Sequence, residues 1–203
     1  MRFVALLFLV QAAYANIQNY TAGKIISAAR SQLGVTTSYD PSYKRLPCPM
    51  GDVPIETGVC SDVVIRAFRA CCGYDLQKLV HEDMKENWSA YPKLWGLKKP
   101  DKNIDHRRVP NLMTFFKRHG YELRDAVEFK PGDIVVWDIS ADDKSAPLKH
   151  IGVVSEVDAD KVRVVHNIGY GAVEENLAML FSGDNAPWKI IGHYRFDKQR
   201  SEI

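Results

Sequence analysis

The apolar pattern of this chain changes period once, near residue 127, and that change constrains the fold more than any other feature. Before it, apolar residues recur at helical spacing. In TAGKIISAARSQL (residues 21–33), Ile25, Ala28, Ala29 and Leu33 share one face, Thr21 can cap the start and Gly34 follows the end. GVCSDVVIRAFRACCG repeats the pattern with Val63, Ala67, Ala70 and Cys71, between a turn at Gly58 and a stop at Gly73. DLQKLVHEDMKE starts on Asp75 as N-cap, and PNLMTFFKRH (110–119) carries Pro110 near its first turn and Gly120 after its end. After the change, four β-rich runs follow: EFKPGDIVVWDI, HIGVVSEV, KVRVVHNI and WKIIGHYRF, with DADK as a hairpin connection between the second and third. Helices first and strands afterwards predict an α+β domain with an antiparallel sheet, not a doubly wound fold.

Two stretches resist this pattern. VTTSYDPSYKRLPCPMGDVPIETG is a polar, proline-rich loop that leads into Cys60, and loops of that length in compact domains are commonly functional. WSAYPKLWGLKKPDKNIDHRR reads as a surface-wrapping loop, and its DHRR run as a solvated charge cluster, with carboxylate binding by Arg107 and Arg108 beside His106 as the alternative.

The chain has 203 residues, 27 Lys plus Arg against 25 Asp plus Glu, and no block of like charges. That balance offers no electrostatic argument for nucleic acid or an anionic membrane surface. The N-terminal MRFVALLFLVQAAYA has the form of a secretory leader: Arg2, an apolar run from Phe3 to Val10, and Ala13-Tyr14-Ala15 as a small-x-small cleavage site. The run falls short of the ~20 residues that span a bilayer. Cleavage after Ala15 is expected, leaving residues 16–203 as one domain, periplasmic or secreted, with no stable membrane anchor.

An exported chain can form disulfides. If Cys60 stays free, Cys48 with Cys71 or Cys72 is one bridge the remaining thiols allow; small buried apolar residues are the other reading. No Cys or His spacing matches a metal site, and no cofactor is expected.

Cys60 follows a loop and opens a helix, so backbone N–H groups and the positive end of the helix dipole lie beside its sulfur. A thiol there is expected to titrate low and to act as a nucleophile if an imidazole is close. His150 opens one β run and His166 closes the next; a DADK hairpin brings them together as base and orienting partner. Asn167 is the alternative third residue, because a one-residue slip in register exchanges the two. Tyr39 and Tyr43 on the preceding loop are candidate donors to an oxyanion or to substrate. Asp62 can contact substrate or pair with Arg66, one helical turn on. His81, His119 and His193 have no partner legible in the sequence.

The segments GDVPIETGVCSDVVIRAFRA, DLQKLVHEDM, YPKLWGLKKPDKNIDHRRVPNLMTFF, KPGDIVVWDI, HIGVVS, VVHNIGYG and IGHYRF resemble the exported bacterial family known as domain of unknown function 1287, over about Ala28 to Phe196. That family in turn resembles NlpC-type papain-like cysteine peptidases and amidases, whose order is a helix-opening Cys, PGD, HxGxV and a polar third residue. Cys60, Pro131-Gly132-Asp133, His150 and His166 fill those places; the sequence around the nucleophile, GVCSDV, departs from the usual DCSG. The resemblance implies a papain-like fold, with helices packed on an antiparallel sheet or half-barrel. It also implies amide hydrolysis, with peptidoglycan stem peptides as substrate. A catalytically silent periplasmic module binding cell-wall peptides, and a lipid- or acyl-directed hydrolase or transferase on the same fold, are the competing expectations.

Overall fold

A computed structural model describes residues 21–123, 127–140, 148–159, 161–180 and 188–196. The expected leader and its cleavage site lie outside them. Helix α1 is described over residues 21–30 and gives way to turns through Gly34, so it ends three residues before the predicted Leu33. Helix α2 is Cys60–Cys72 and α3 is Leu76–Glu86. Gly73 ends α2 in the left-handed region at φ 70°, and its N–H and that of Tyr74 satisfy the Arg69 and Phe68 carbonyls. Asp75 caps α3 as expected, accepting from the Gln77 N–H. Helix α4, Val109–Arg118, has Pro110 in its first turn.

The long loop before Cys60 contains two short strands, β1 (Ser38–Tyr39) and β2 (Thr57–Gly58), paired in parallel. The β-rich half forms β3 (Ile134–Asp138), β4 (Lys149–Asp158), β5 (Lys161–Asn167), β6 (Ala172–Asn176) and β7 (Lys189–Tyr194). They make one antiparallel sheet in the order β6-β5-β4-β3-β7. The β4–β5 hairpin pairs Asp158 with Lys161, where DADK predicted it. β6 is a strand that the β-rich runs did not announce, and a one-turn helix α5, Leu177–Leu180, follows it.

Strand alternation divides the core in two. Ile134, Val136, Ile151, Val153 and Val165 face the helices and pack with Val63, Val64, Ala67 and Phe68 of α2. Val135, Trp137, Val154 and Val164 face the other way, under Leu177 and Leu180 of α5. The fold is therefore α+β with an antiparallel sheet, as predicted. No helix among the described residues is long and apolar enough to cross a membrane. Cys71 and Cys72 are bonded to one another and Cys48 is free, so the bridge from Cys48 does not form.

Candidate active site

Cys60 is the first residue of α2, and the cap that starts the helix is Asp62, whose Oδ2 accepts from the Val59 N–H at 2.7 Å. The Cys60 sulfur is buried, the residue 4% exposed. The backbone N–H groups of Ile151, Ser61 and Cys60 itself lie near enough to the sulfur to pull its pKa down. The contact with Ile151 seats the thiol against β4 at the residue that follows His150.

His150 belongs to the opposite face of β4. Its neighbours in the alternation, Ile151 and Val153, enter the α2 core, whereas its ring lies 4.6 Å from that of Trp137, directly across the sheet on β3. His166 on β5 shares this face, and its Nδ1 lies 3.1 Å from His150 Nε2. Gly152 makes the approach possible: a Cβ there would come within 2.5 Å of Val164 Cγ1 and 3.2 Å of His166 Cβ. One strand further, Glu175 Oε2 lies 3.1 Å from His166 Nε2, and Tyr170 donates to Glu175 Oε1 at 3.0 Å. Trp137, His150, His166 and Glu175 thus form a row across β3, β4, β5 and β6. Among the described residues no hydrogen bond joins Cys60 to His150, and His150 Nδ1 is the ring nitrogen left uncommitted by the row.

Of the two candidates for the third residue, His166 is the one that reaches His150. Asn167 faces the helical side and is spent on the backbone. Its Nδ2 donates to the Ser38 and Gly58 carbonyls, and its Oδ1 accepts from Gly169 and Gly171. It ties β5 to the residues just before Cys60. Tyr39 is near the thiol: burial pushes its phenol up to about 12, and the proximity of Cys60 and then Asp62 adds to the push. Tyr43 is not: it hydrogen-bonds Asp101 and Asn103, as loop packing. The expected Asp62–Arg66 pair does not form. Arg66 turns back to Asp52 at 2.8 Å, while Asp62 pairs with Arg107 at 2.9 Å, both side chains buried.

Arg107 also donates to the Asp40 and Ser42 carbonyls, and its own carbonyl accepts from Ser61. Residues just after Tyr39 and just after the thiol therefore meet at one guanidinium. DHRR is not a solvated charge run; Asp105, His106 and Arg107 are all buried. His193, unassigned in the sequence, is held 2.6 Å from Asp133 of the PGD segment, together with Arg195.

Residues 26–196 match the family described as domain of unknown function 1287 (DUF1287). This chain belongs to the DUF1287 family. It is 50% identical over 185 residues to the uncharacterised protein YijF of Escherichia coli strain K12, covering 89% of this chain and 84% of that one. In this DUF1287 protein the resting charge state differs from the sequence expectation. Burial pushes the Cys60 thiol up to about 12, against the pull of the surrounding N–H groups, so it is not a thiolate at neutral pH. Burial, with His166 adding, holds His150 well below the usual imidazole range. Both groups rest neutral, and the thiolate–imidazolium pair is not preformed. Among the described residues no group of three or more His, Cys, Asp or Glu is placed to hold a metal ion.

Proposed function

We propose that this DUF1287 protein is an exported thiol hydrolase that cleaves an amide bond in peptidoglycan stem peptides. Cys60 is the nucleophile, His150 the base and His166 the residue that orients it. The observation that carries the reading is the His150–His166 contact, on the strand whose next residue, Ile151, has its N–H near the Cys60 sulfur. The order Cys60, PGD, His150, His166 supports an NlpC-like, papain-type reading of the fold, and the secretory form of residues 1–15 supports an address outside the cytoplasm.

The neutral resting pair implies proton transfer during attack. The step requires the His150 ring to turn from the Trp137 side of β4 towards the sulfur; there, as the sulfur bonds to the carbonyl carbon, its proton passes to His150 Nδ1. The oxyanion is met by the Cys60 N–H at the helix start and by the Tyr39 phenol. Collapse breaks the C–N bond, and the leaving amine takes the proton from His150. Water, deprotonated by the same nitrogen, then attacks the acyl carbon; the C–S bond breaks, the acid leaves, and His150 returns its proton to the sulfur.

The raised thiol favours a second reading, a module that binds cell-wall peptides without cutting them. Digestion of purified muropeptides followed by mass spectrometry separates the two. The hydrolase reading expects a new amide cleavage product from the wild type and none from Cys60→Ala. Binding of muropeptides by both proteins, with every bond intact, would establish the second reading instead.

A further inference from the structure

His150 can serve as base only if its Nδ1 holds a lone pair. Two neutral imidazoles touching Nε2 to Nδ1 have two arrangements. In one, His150 donates its Nε2–H to His166 Nδ1, and His150 Nδ1 is bare. In the other, His166 donates its Nδ1–H to His150 Nε2, and His150 carries its own proton on Nδ1, where it blocks transfer from the thiol. With His150 2% and His166 0% exposed, bulk solvent has little access to the pair, and the selection falls to the groups packed around it.

Glu175 makes the selection. Its Oε2 lies 3.1 Å from His166 Nε2, and a carboxylate accepts but does not donate. The proton of His166 is therefore on Nε2, its Nδ1 is an acceptor, and His150 must donate from Nε2. Tyr170 donates to the other carboxylate oxygen, so Glu175 is held in place from its solvent side. We infer that Glu175 is a positioning residue. Acting through His166, it fixes the tautomers of both histidines and so makes His150 Nδ1 the basic nitrogen. The inference rests on His150 as the base of the proposed reaction, but the tautomers can be read without any reaction. Glu175 lies on β6, which sits two strands from β4, and no nucleophile motif points to it.

Long-range ¹H–¹⁵N correlation spectra of the full chain near pH 7.5 test this directly. The expected result is Nε2–H on both His150 and His166 in the wild type. In Glu175→Ala, His166 should populate Nδ1–H and His150 should lose its single tautomer; Glu175→Gln, which keeps an acceptor oxygen, should hold the wild-type majority form. An Nδ1–H His166 in the wild type overturns the inference, as do unchanged tautomers in Glu175→Ala. Those spectra stand even if no muropeptide bond is cut, so failure of the hydrolase reading is separately visible. Where turnover is measured, Glu175→Ala should lower kcat, by up to the ~10⁴-fold that a wrong tautomer produces, with KM little changed.

Discussion

At the scale of single residues, the environment of Cys60 is set by one buried ion pair. Asp62 caps the helix and pairs with Arg107, which in turn holds the Asp40 and Ser42 carbonyls. Removing one partner of such a pair leaves an uncompensated buried charge and costs about 3–5 kcal/mol. Arg107→Met should therefore lower the stability measured by urea unfolding by that order, whereas a surface arginine would cost well under 1 kcal/mol. A loss no larger than a surface substitution's would show that the guanidinium is dispensable to the loop. The thiol itself yields a second prediction. Because burial pushes it up to about 12, its thiolate fraction at pH 7 is lower than that of an ordinary cysteine. Iodoacetamide should label Cys60 in the free protein more slowly than it labels the part-exposed Cys48, with the Cys60 rate still rising above pH 9. A plateau below pH 8 would mean that a thiolate–imidazolium pair already exists at rest.

At the scale of elements, the histidine row depends on strand register and on a missing side chain. Gly152 lies on the face shared by His150 and Val154. An added Cβ would sit 2.5 Å from Val164 Cγ1 and 3.0 Å from the Val165 carbonyl, and a backbone carbonyl in a central strand cannot move aside cheaply. Gly152→Ala should destabilise the protein by about 1–3 kcal/mol in urea unfolding, the range of overpacked cores. It should also shift the His166 ring resonances, because the same Cβ would lie 3.2 Å from His166 Cβ. The glycine of HxGxV was legible as part of a motif; its role as the floor beneath two imidazoles was not, because that requires the register of β5 against β4. β6 escaped notice for a related reason. Ala-Val-Glu-Glu-Asn is short and half polar, and its pairing with β5 supplies what its own pattern lacks. The turn glycines Gly169 and Gly171 ahead of it were the available signal.

At the scale of the whole molecule, burial of imidazoles makes the fold acid-sensitive. His106 is 2% exposed, and burial, with Arg69 and Arg107 adding, lowers it to about 3; His150 and His166 are lowered as well. The unfolded chain binds protons on these rings near pH 6.5 while the folded chain does not. Their contribution is therefore fully present above about pH 6.5 and is lost as pH falls towards the folded values, near 3 for His106. Asp105 acts with the opposite sign. Burial raises it to about 6, so its contribution is present below its ordinary value of 3.8 and lost as pH rises through 6. The three imidazoles outnumber it. Urea midpoints should fall between pH 7 and pH 4, and His106→Gln should flatten that slope. A midpoint that rises on acidification would reverse the sign of this account.

The local pattern of the chain was sufficient for the helices, their caps at Asp75 and Gly73, the β4–β5 hairpin and the family, because each depends on residues a few positions apart. It also singled out Cys60, His150 and His166. The partner of Asp62, the assignment of His166 rather than Asn167 to His150, the vicinal bond of Cys71 and Cys72, and the place of Glu175 were decided only by the tertiary structure. The physical reason is that a strand's alternation states which side chains share a face, but not its register against a neighbour or which further strand and loop close over that face. Burial has the same character: a helix N-terminus favours a thiolate wherever it occurs, yet the packing around Cys60 outweighs it and leaves the thiol protonated.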